Sequence, residues 1–186
     1  MDDEILFLKL WAKSLLGENS YVLKEKDKIK KLNNEDSFSL SIFVGQSLWL
    51  SGKFDEGQEF LENLLKKSEN KSQRFRTLSQ LFLLNLNCGE CQKAEEILSK
   101  MDEAIDCENI KENILINHHR GAIEKSKNNE TMALEYFLKA KDFAKKGGYH
   151  LHETLFNIEI GNIFRLIGKF EESIAYLEKA ISQAYV

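Results

Sequence analysis

Apolar residues along this 186-residue chain recur at intervals of three and four almost throughout, and strict apolar/polar alternation is absent. The pattern predicts helices and no sheet. In the last third, Leu155, Ile158, Ile160, Ile163, Phe164, Leu166 and Ile167 outline one helix, and Phe170, Ile174, Leu177 and Ile181 outline the next. Gly168-Lys169 between them is a break where glycine supplies the positive φ that ends a helix. The predicted unit is helix, short turn, helix.

That unit recurs. Breaks of the same kind stand at Gly17-Glu18, Gly52-Lys53, Gly89-Glu90, Asn128-Asn129 and Gly168-Lys169, spaced 35, 37, 39 and 40 residues apart. They divide the chain into five units, about 2–33, 36–68, 71–104, 108–146 and 149–186, read as one repeat domain over 1–186 because no linker-like stretch separates them. Inside the units a small residue is followed by steps of three, four, two, three, four and three. The fifth unit reads Gly161, Phe164, Gly168, Phe170, Ser173, Leu177, Ala180, and the second reads Gly45, Leu48, Gly52, Phe54, Gly57, Leu61, Leu64. Small residues let antiparallel helices approach, and large ones fill the space between neighbours.

These residues resemble the tetratricopeptide repeat. The fourth unit keeps Gly121, Ala133, Phe137 and Ala140, with Asn128 at the turn and Glu130 in place of the aromatic. The third keeps Gly89, Ala94 and Leu98, with Cys91 at the aromatic position. The first unit rests on Gly17 and on spacing. The family's proline after the second helix is missing, and a 37–40 spacing exceeds the family's usual 34. Longer repeats are similar to those in the sensor domains of bacterial regulators.

The resemblance implies an all-α fold, a right-handed superhelical solenoid of about five antiparallel helix pairs. It implies a concave groove lined by the first helices, and by alignment it places Gln46, Trp49, Ser79, Leu83, His118, Lys125, Asn162 and Arg165 there. Trp49 is the expected anchor, since tryptophan combines apolar area with one donor, and Lys125 and Arg165 are expected to meet carboxylates. The carboxylate clamp of chaperone-binding members pairs Lys and Asn one helical turn apart. It is not matched, because Ile158 stands where Asn162 would need the lysine and His118 is followed by Ala122.

Composition narrows the function classes. The chain contains no proline, against an average usage of about 5%, which excludes collagen-like and polyproline readings. A net charge of −4 is the wrong balance for affinity built on phosphate neutralisation, so no direct nucleic-acid binding is expected. Met1-Asp2-Asp3-Glu4 lacks the positive start of a secretory signal, no apolar run reaches a membrane span, and three cysteines fit a reducing compartment. The expected location is cytoplasmic. No phosphate-cradling loop, nucleophile elbow or HExxH helix is present, so the expectation is a non-enzyme without a cofactor.

Cys88-Gly89-Glu90-Cys91 has CxxC spacing, but it straddles a predicted turn that already explains Gly89. Zinc there would need Cys107 and His118 or His119, a spacing that fits no finger pattern. Adjacent helical residues diverge by about 100°, which weakens a joint role for His118 and His119, and His150 and His152 fall near a helix start, where exposure is expected. No metal is expected. Ile174, Leu177 and Ile181 form an apolar stripe on the last helix, with no further helix before Val186. That stripe is expected to pair two copies into a homodimer, unless the chain is a piece of a longer protein. The primary reading is a scaffold that binds a protein or peptide segment in the groove. The alternative is the ligand- or peptide-sensing part of a transcription regulator.

Overall fold

A computed structural model describes residues 6, 8–10, 12, 13, 16–29 and 34–184. After short helical stretches before Gly17 come α1 (Asn19–Lys24), α2 (Lys26–Ile29), α3 (Asn34–Leu50), α4 (Phe54–Lys66), α5 (Lys71–Asn87), α6 (Cys91–Ala104), α7 (Ile110–Ser126), α8 (Glu130–Lys146), α9 (His150–Leu166) and α10 (Phe170–Ala184). The described residues contain no strand. Much of the predicted first unit lies outside the described residues.

Contacts divide the chain into two compact units, Met1–Glu90 and Cys91–Val186. In the first, α3 packs on α4 and α5, and α4 packs on α5. Leu40, Val44 and Leu48 of α3 share a core with Val22, Ile29 and the buried side chains of Leu6 and Leu10. In the second unit α8 packs on α7 and α9, α9 packs on α10, and α6 packs on α7. Its core joins Ile114, Ala133, Phe137, Ala140, Phe156, Ile160 and Ile163.

Each predicted break is a left-handed residue: Gly17, Gly52, Gly89, Asn128 and Gly168 have φ of 71°, 82°, 78°, 57° and 79°. From Gly52 onward the hydrogen bonds are those of a Schellman cap. Gly52 donates to the Trp49 carbonyl and Lys53 to that of Leu48, and the same pair of bonds recurs at Gly89, Asn128 and Gly168. Asn128 is the one non-glycine residue with positive φ among those described. An L-residue pays a steric penalty there that glycine escapes. Asn128→Gly is therefore expected to stabilise the second unit by about 0.5–1 kcal/mol and Asn128→Ala to destabilise it by about 1 kcal/mol, read as opposite shifts of the urea midpoint.

The small residues work as the repeat pattern requires. A Cβ on Gly45 would lie 2.5 Å from Leu61 Cδ2, one on Gly121 2.6 Å from Phe137 Cε1, and one on Gly161 2.9 Å from Leu177 Cγ. In each pair the first helix has a hole and the second fills it.

The long repeat has a local cause. First helices α3, α5, α7 and α9 are each 17 residues, while the second helices α4, α6 and α8 run to 13, 14 and 17. The period therefore varies in the second helix and the connection after it. Two of those connections end in asparagine caps rather than proline. Asn70 Oδ1 accepts from the Gln73 N–H at 2.9 Å while Gln73 Oε1 accepts from the Glu69 N–H at 2.9 Å. Asn109 Oδ1 accepts from the Lys111 and Glu112 N–H groups, and buried Glu112 reaches back to the Asp106 N–H at 2.8 Å. These are reciprocal capping arrangements that satisfy orphan helix-start donors.

Candidate functional site

In the first unit the groove candidates lie on α3 and α5. Gln46, Trp49 and Leu83 are half-buried, whereas Ser79 is buried and presents no hydroxyl to a ligand. Trp49 is held by its neighbour: a Cβ on Gly57 would approach the Trp49 Cβ and backbone nitrogen at 3.1 Å. Its Nε1–H is buried and meets no acceptor among the described residues. A buried donor without a partner is costly, and what Trp49 can offer a ligand is the exposed part of its half-buried ring.

A polar cluster ties α3 to α5. Arg76 donates to Glu35 at 2.6 Å and to Ser39 Oγ at 3.2 Å, and Gln73 Nε2 donates to Glu35 at 3.0 Å. The Gln73 hydrogen bond, and the Arg76 guanidinium with it, hold the Glu35 carboxyl below its ordinary range against the opposing effect of partial burial. A cavity of about 430 Å³ opens nearby, walled by Phe38, Phe60 and Leu64. Of its polar groups, Ser41 donates to the Ser37 carbonyl and the Gln73 amide is bonded at both ends.

In the second unit the candidates lie on α7 and α9. His118 is half-buried among rings, with centroids 5.5 Å from His119, 5.8 Å from Phe156 and 6.0 Å from Phe137. Burial pushes its imidazole below the usual range, partly opposed by Glu159. His119 beside it is buried, and burial lowers it further. Lys125 is not a free cation, because its Nζ binds Glu159 Oε2 at 2.8 Å and so bridges α7 to α9. Asn162 is half-buried, and Arg165 is exposed in the last turn of α9 with no ion pair among the described residues. A cation there also favours the negative end of the helix dipole.

Three apolar residues outside the expected groove set, Ile158 among them at the place of the clamp lysine, belong to this face. Leu151, Leu155 and Ile158 of α9 are 71%, 49% and 38% exposed. Their spacing shows a row but not which side of the helix the core takes.

The cysteines are free, Cys88 and Cys107 exposed and Cys91 half-buried with its Sγ 3.8 Å from Ser126 Oγ. Among the described residues no three His, Cys, Asp or Glu side chains gather as a metal site. His150 is exposed as expected, but His152 is half-buried beside Tyr149, and burial, then Lys111, lowers its imidazole. On α10, Ile174 and Ile181 are 56% and 59% exposed, whereas Leu177 is half-buried and turned onto Gly161. No helix among the described residues is long and apolar enough to cross a membrane.

Residues 156–184 match the family model described as Tetratricopeptide repeat. A signal-transduction ATPase with numerous domains and a tetratricopeptide repeat sensor, from Pyrococcus horikoshii, superposes on 99% of this chain with a TM-score of 0.75 and 18% identity. The fold is that of the tetratricopeptide repeat. This chain spans 29% of that ATPase's length. MamA from Desulfovibrio magneticus RS-1 superposes on the whole chain, with 97% of its own length covered, a TM-score of 0.60 and 13% identity. A putative kinesin light chain from Podosopora anserina with nearly identical TPR-like repeats covers 95% of this chain and 92% of its own, with a TM-score of 0.60 and 14% identity. No curated protein matches the chain. Tetratricopeptide repeats generally serve as protein-interaction scaffolds, and proteins as different as these share the fold, so the chemistry has to be read from the faces of this chain.

Proposed function

We propose that this tetratricopeptide-repeat chain is a non-enzymatic scaffold that binds a protein or peptide segment on the open faces of its first helices. The observation that carries the reading is the face of α9, where exposed Leu155 and Ile158 lie beside Asn162 and the unpaired Arg165. Such a face offers apolar area, one amide and one cation, the groups that anchor a peptide rather than turn over a substrate. Trp49 adds the apolar area of a half-buried indole ring. In the first unit Gln46 and Leu83 stand with Trp49 as contacts, and in the second, taken by itself, His118 contributes as a neutral ring and Lys125 through its pair with Glu159. The reading sets the chain in the cytoplasm, where free Cys88, Cys91 and Cys107 persist, and gives Ile174 and Ile181 to contact between two copies.

The sensing part of a larger regulator is the second reading. It is favoured by the likeness along 99% of this chain to a Pyrococcus horikoshii ATPase that has a tetratricopeptide repeat sensor, and of which this chain spans 29%.

Affinity capture from native lysate tests the primary reading. Wild-type chain is expected to retain at least one partner that the Trp49→Ala/Arg165→Ala variant loses by roughly fivefold or more, the loss of about 1 kcal/mol that marks an anchor. Equal recovery of every partner, with both proteins folded, would overturn binding through these faces.

A further inference from the structure

Leu151, Leu155, Ile158, Asn162 and Arg165 follow one another at steps of four, three, four and three. That is the spacing of a heptad seam, and at about 100° per residue the five side chains share one face of α9. The opposite face is already used: Phe156, Ile160 and Ile163 are buried in the core of the second unit. The exposed row is therefore additional to the core-facing row. Single exposed apolar residues are ordinary, but three branched ones in line on one helix form a patch. α7 repeats the same spacing forty residues earlier with Lys111, Leu115, His118, Ala122 and Lys125.

The spacing selects the shape of the occupant. Seam residues recur about 5.3 Å apart along a helix that rises 1.5 Å per residue, whereas same-face residues of a strand recur at about 6.6–6.8 Å. A strand falls out of step within three anchors, and a second helix stays in step. Asn162 in the seam supplies the polar contact that fixes register in helix pairs.

The charges select its chemistry. Lys111 makes a cation–π contact with Tyr149 but no ion pair among the described residues, and Arg165 makes none. Lys125 and Glu159 cancel each other, and the carboxylates of Glu112 and Glu153 are buried away from the row. The row is thus apolar from Leu151 to Ile158 and ends on the cation of Arg165, while Lys111 of α7 supplies a second cation beside Tyr149, just before the start of α9.

Resting on the scaffold reading above, we propose that this face binds an amphipathic helix of another protein, apolar at positions i, i+4 and i+7 and flanked by Asp or Glu that meet Lys111 and Arg165. A second copy of this chain fits less well. Its α10 carries Phe170, Ile174, Leu177 and Ile181 at heptad spacing with Glu171 and Glu178 alongside, but Leu177 is turned inward onto Gly161 and breaks the row.

The test uses the full chain and a synthetic helical peptide of about 18 residues, about 27 Å long, with Leu at the heptad seam positions and Glu beside them. One control peptide has the same composition with the Leu spacing scrambled, and another has Lys in place of Glu. Fluorescence anisotropy is expected to show affinity for the Leu/Glu peptide roughly tenfold or more above either control. Leu155→Asp/Ile158→Asp is expected to weaken it by roughly tenfold or more with an unchanged thermal melt, and Lys100→Ala, at an exposed position of α6, to leave it as it was. Equal affinity for the scrambled peptide, or an undiminished affinity in the double Asp variant, would refute the proposal. Sedimentation showing self-association that Leu155→Asp/Ile158→Asp abolishes would give the face to a second copy and refute it too. Capture of a partner lost with Trp49→Ala, alongside failure of every peptide, would leave the scaffold reading standing without this one.

Discussion

Phe137→Ala is expected to lower the unfolding free energy of the second unit by about 3–5 kcal/mol, the range for deleting a fully buried aromatic. The ring is 1% exposed and meets groups of the two neighbouring helices, α7 and α9. It lies over Gly121 of α7, so closely that a Cβ there would fall 2.6 Å from Cε1. It stacks on Phe156 of α9 with centroids 6.5 Å apart, and it stands 6.0 Å from His118. A hole at this junction cannot collapse without moving α7, α8 and α9 together, which puts the cost toward the upper end of the range. Gly121→Val fails from the other side, by driving a branched side chain into a ring that has nowhere to go, at about 1–3 kcal/mol. The two are coupled: in the Phe137→Ala background the valine has room, so the double variant is expected to lose less than the sum. Urea titrations of the four proteins, followed by far-UV circular dichroism, measure the coupling. Additive losses would mean that the hole and the ring are not partners.

The same pair shows what the sequence could disclose. Gly121 and Phe137 were legible because a helix pair that approaches closely needs a small residue opposite a large one, and that need recurs at fixed offsets. The turns were legible for a similar reason, since a left-handed residue tolerates few side chains, and Asn128 stood in the place of a glycine. The face was less open to inspection. Alignment sets a position on a helix but not what lies over it, so Ser79 was expected in a groove and is buried. Leu155 and Ile158 traced a helix, yet α9 is apolar on two sides, and three- and four-residue spacing does not say which side the core takes. The Lys125–Glu159 bridge joins residues 34 apart in sequence, beyond any local pattern. The missing proline had a readable substitute that was passed over: Asn70-x-x-Gln73 and Asn109-x-x-Glu112 are capping boxes written in the sequence.

Acidification from pH 7 to pH 5 is expected to weaken the second unit, and His119 is the main reason. The side chain is 1% exposed, and burial, with a smaller contribution from His118, holds its imidazole well below the ordinary value near 6.5. Above that value the ring is neutral in both the folded and the unfolded chain, and the full stability is present. Below it the unfolded chain takes up a proton that the folded one refuses, so stability falls by about 1.4 kcal/mol per pH unit for each such histidine. His118 acts with the same sign, though Glu159 beside it softens the effect and the nearby His152 and Lys125 sharpen it. Glu35 does not enter this window, because its carboxyl is held below an ordinary value of 4.5 and titrates at lower pH. His119→Gln removes one titrating group whatever it does to absolute stability. The unfolding free energy of the variant between pH 6 and pH 5 is therefore expected to fall less steeply than that of wild type, by about 1.4 kcal/mol per pH unit. Parallel slopes in urea titrations at the two pH values would show that His119 is not the group that resists the proton. His118 of α7 and the Lys125–Glu159 bridge from α7 to α9 stand at the face where binding is proposed. A slope that does flatten would locate the acid-sensitive part of the fold beneath that face.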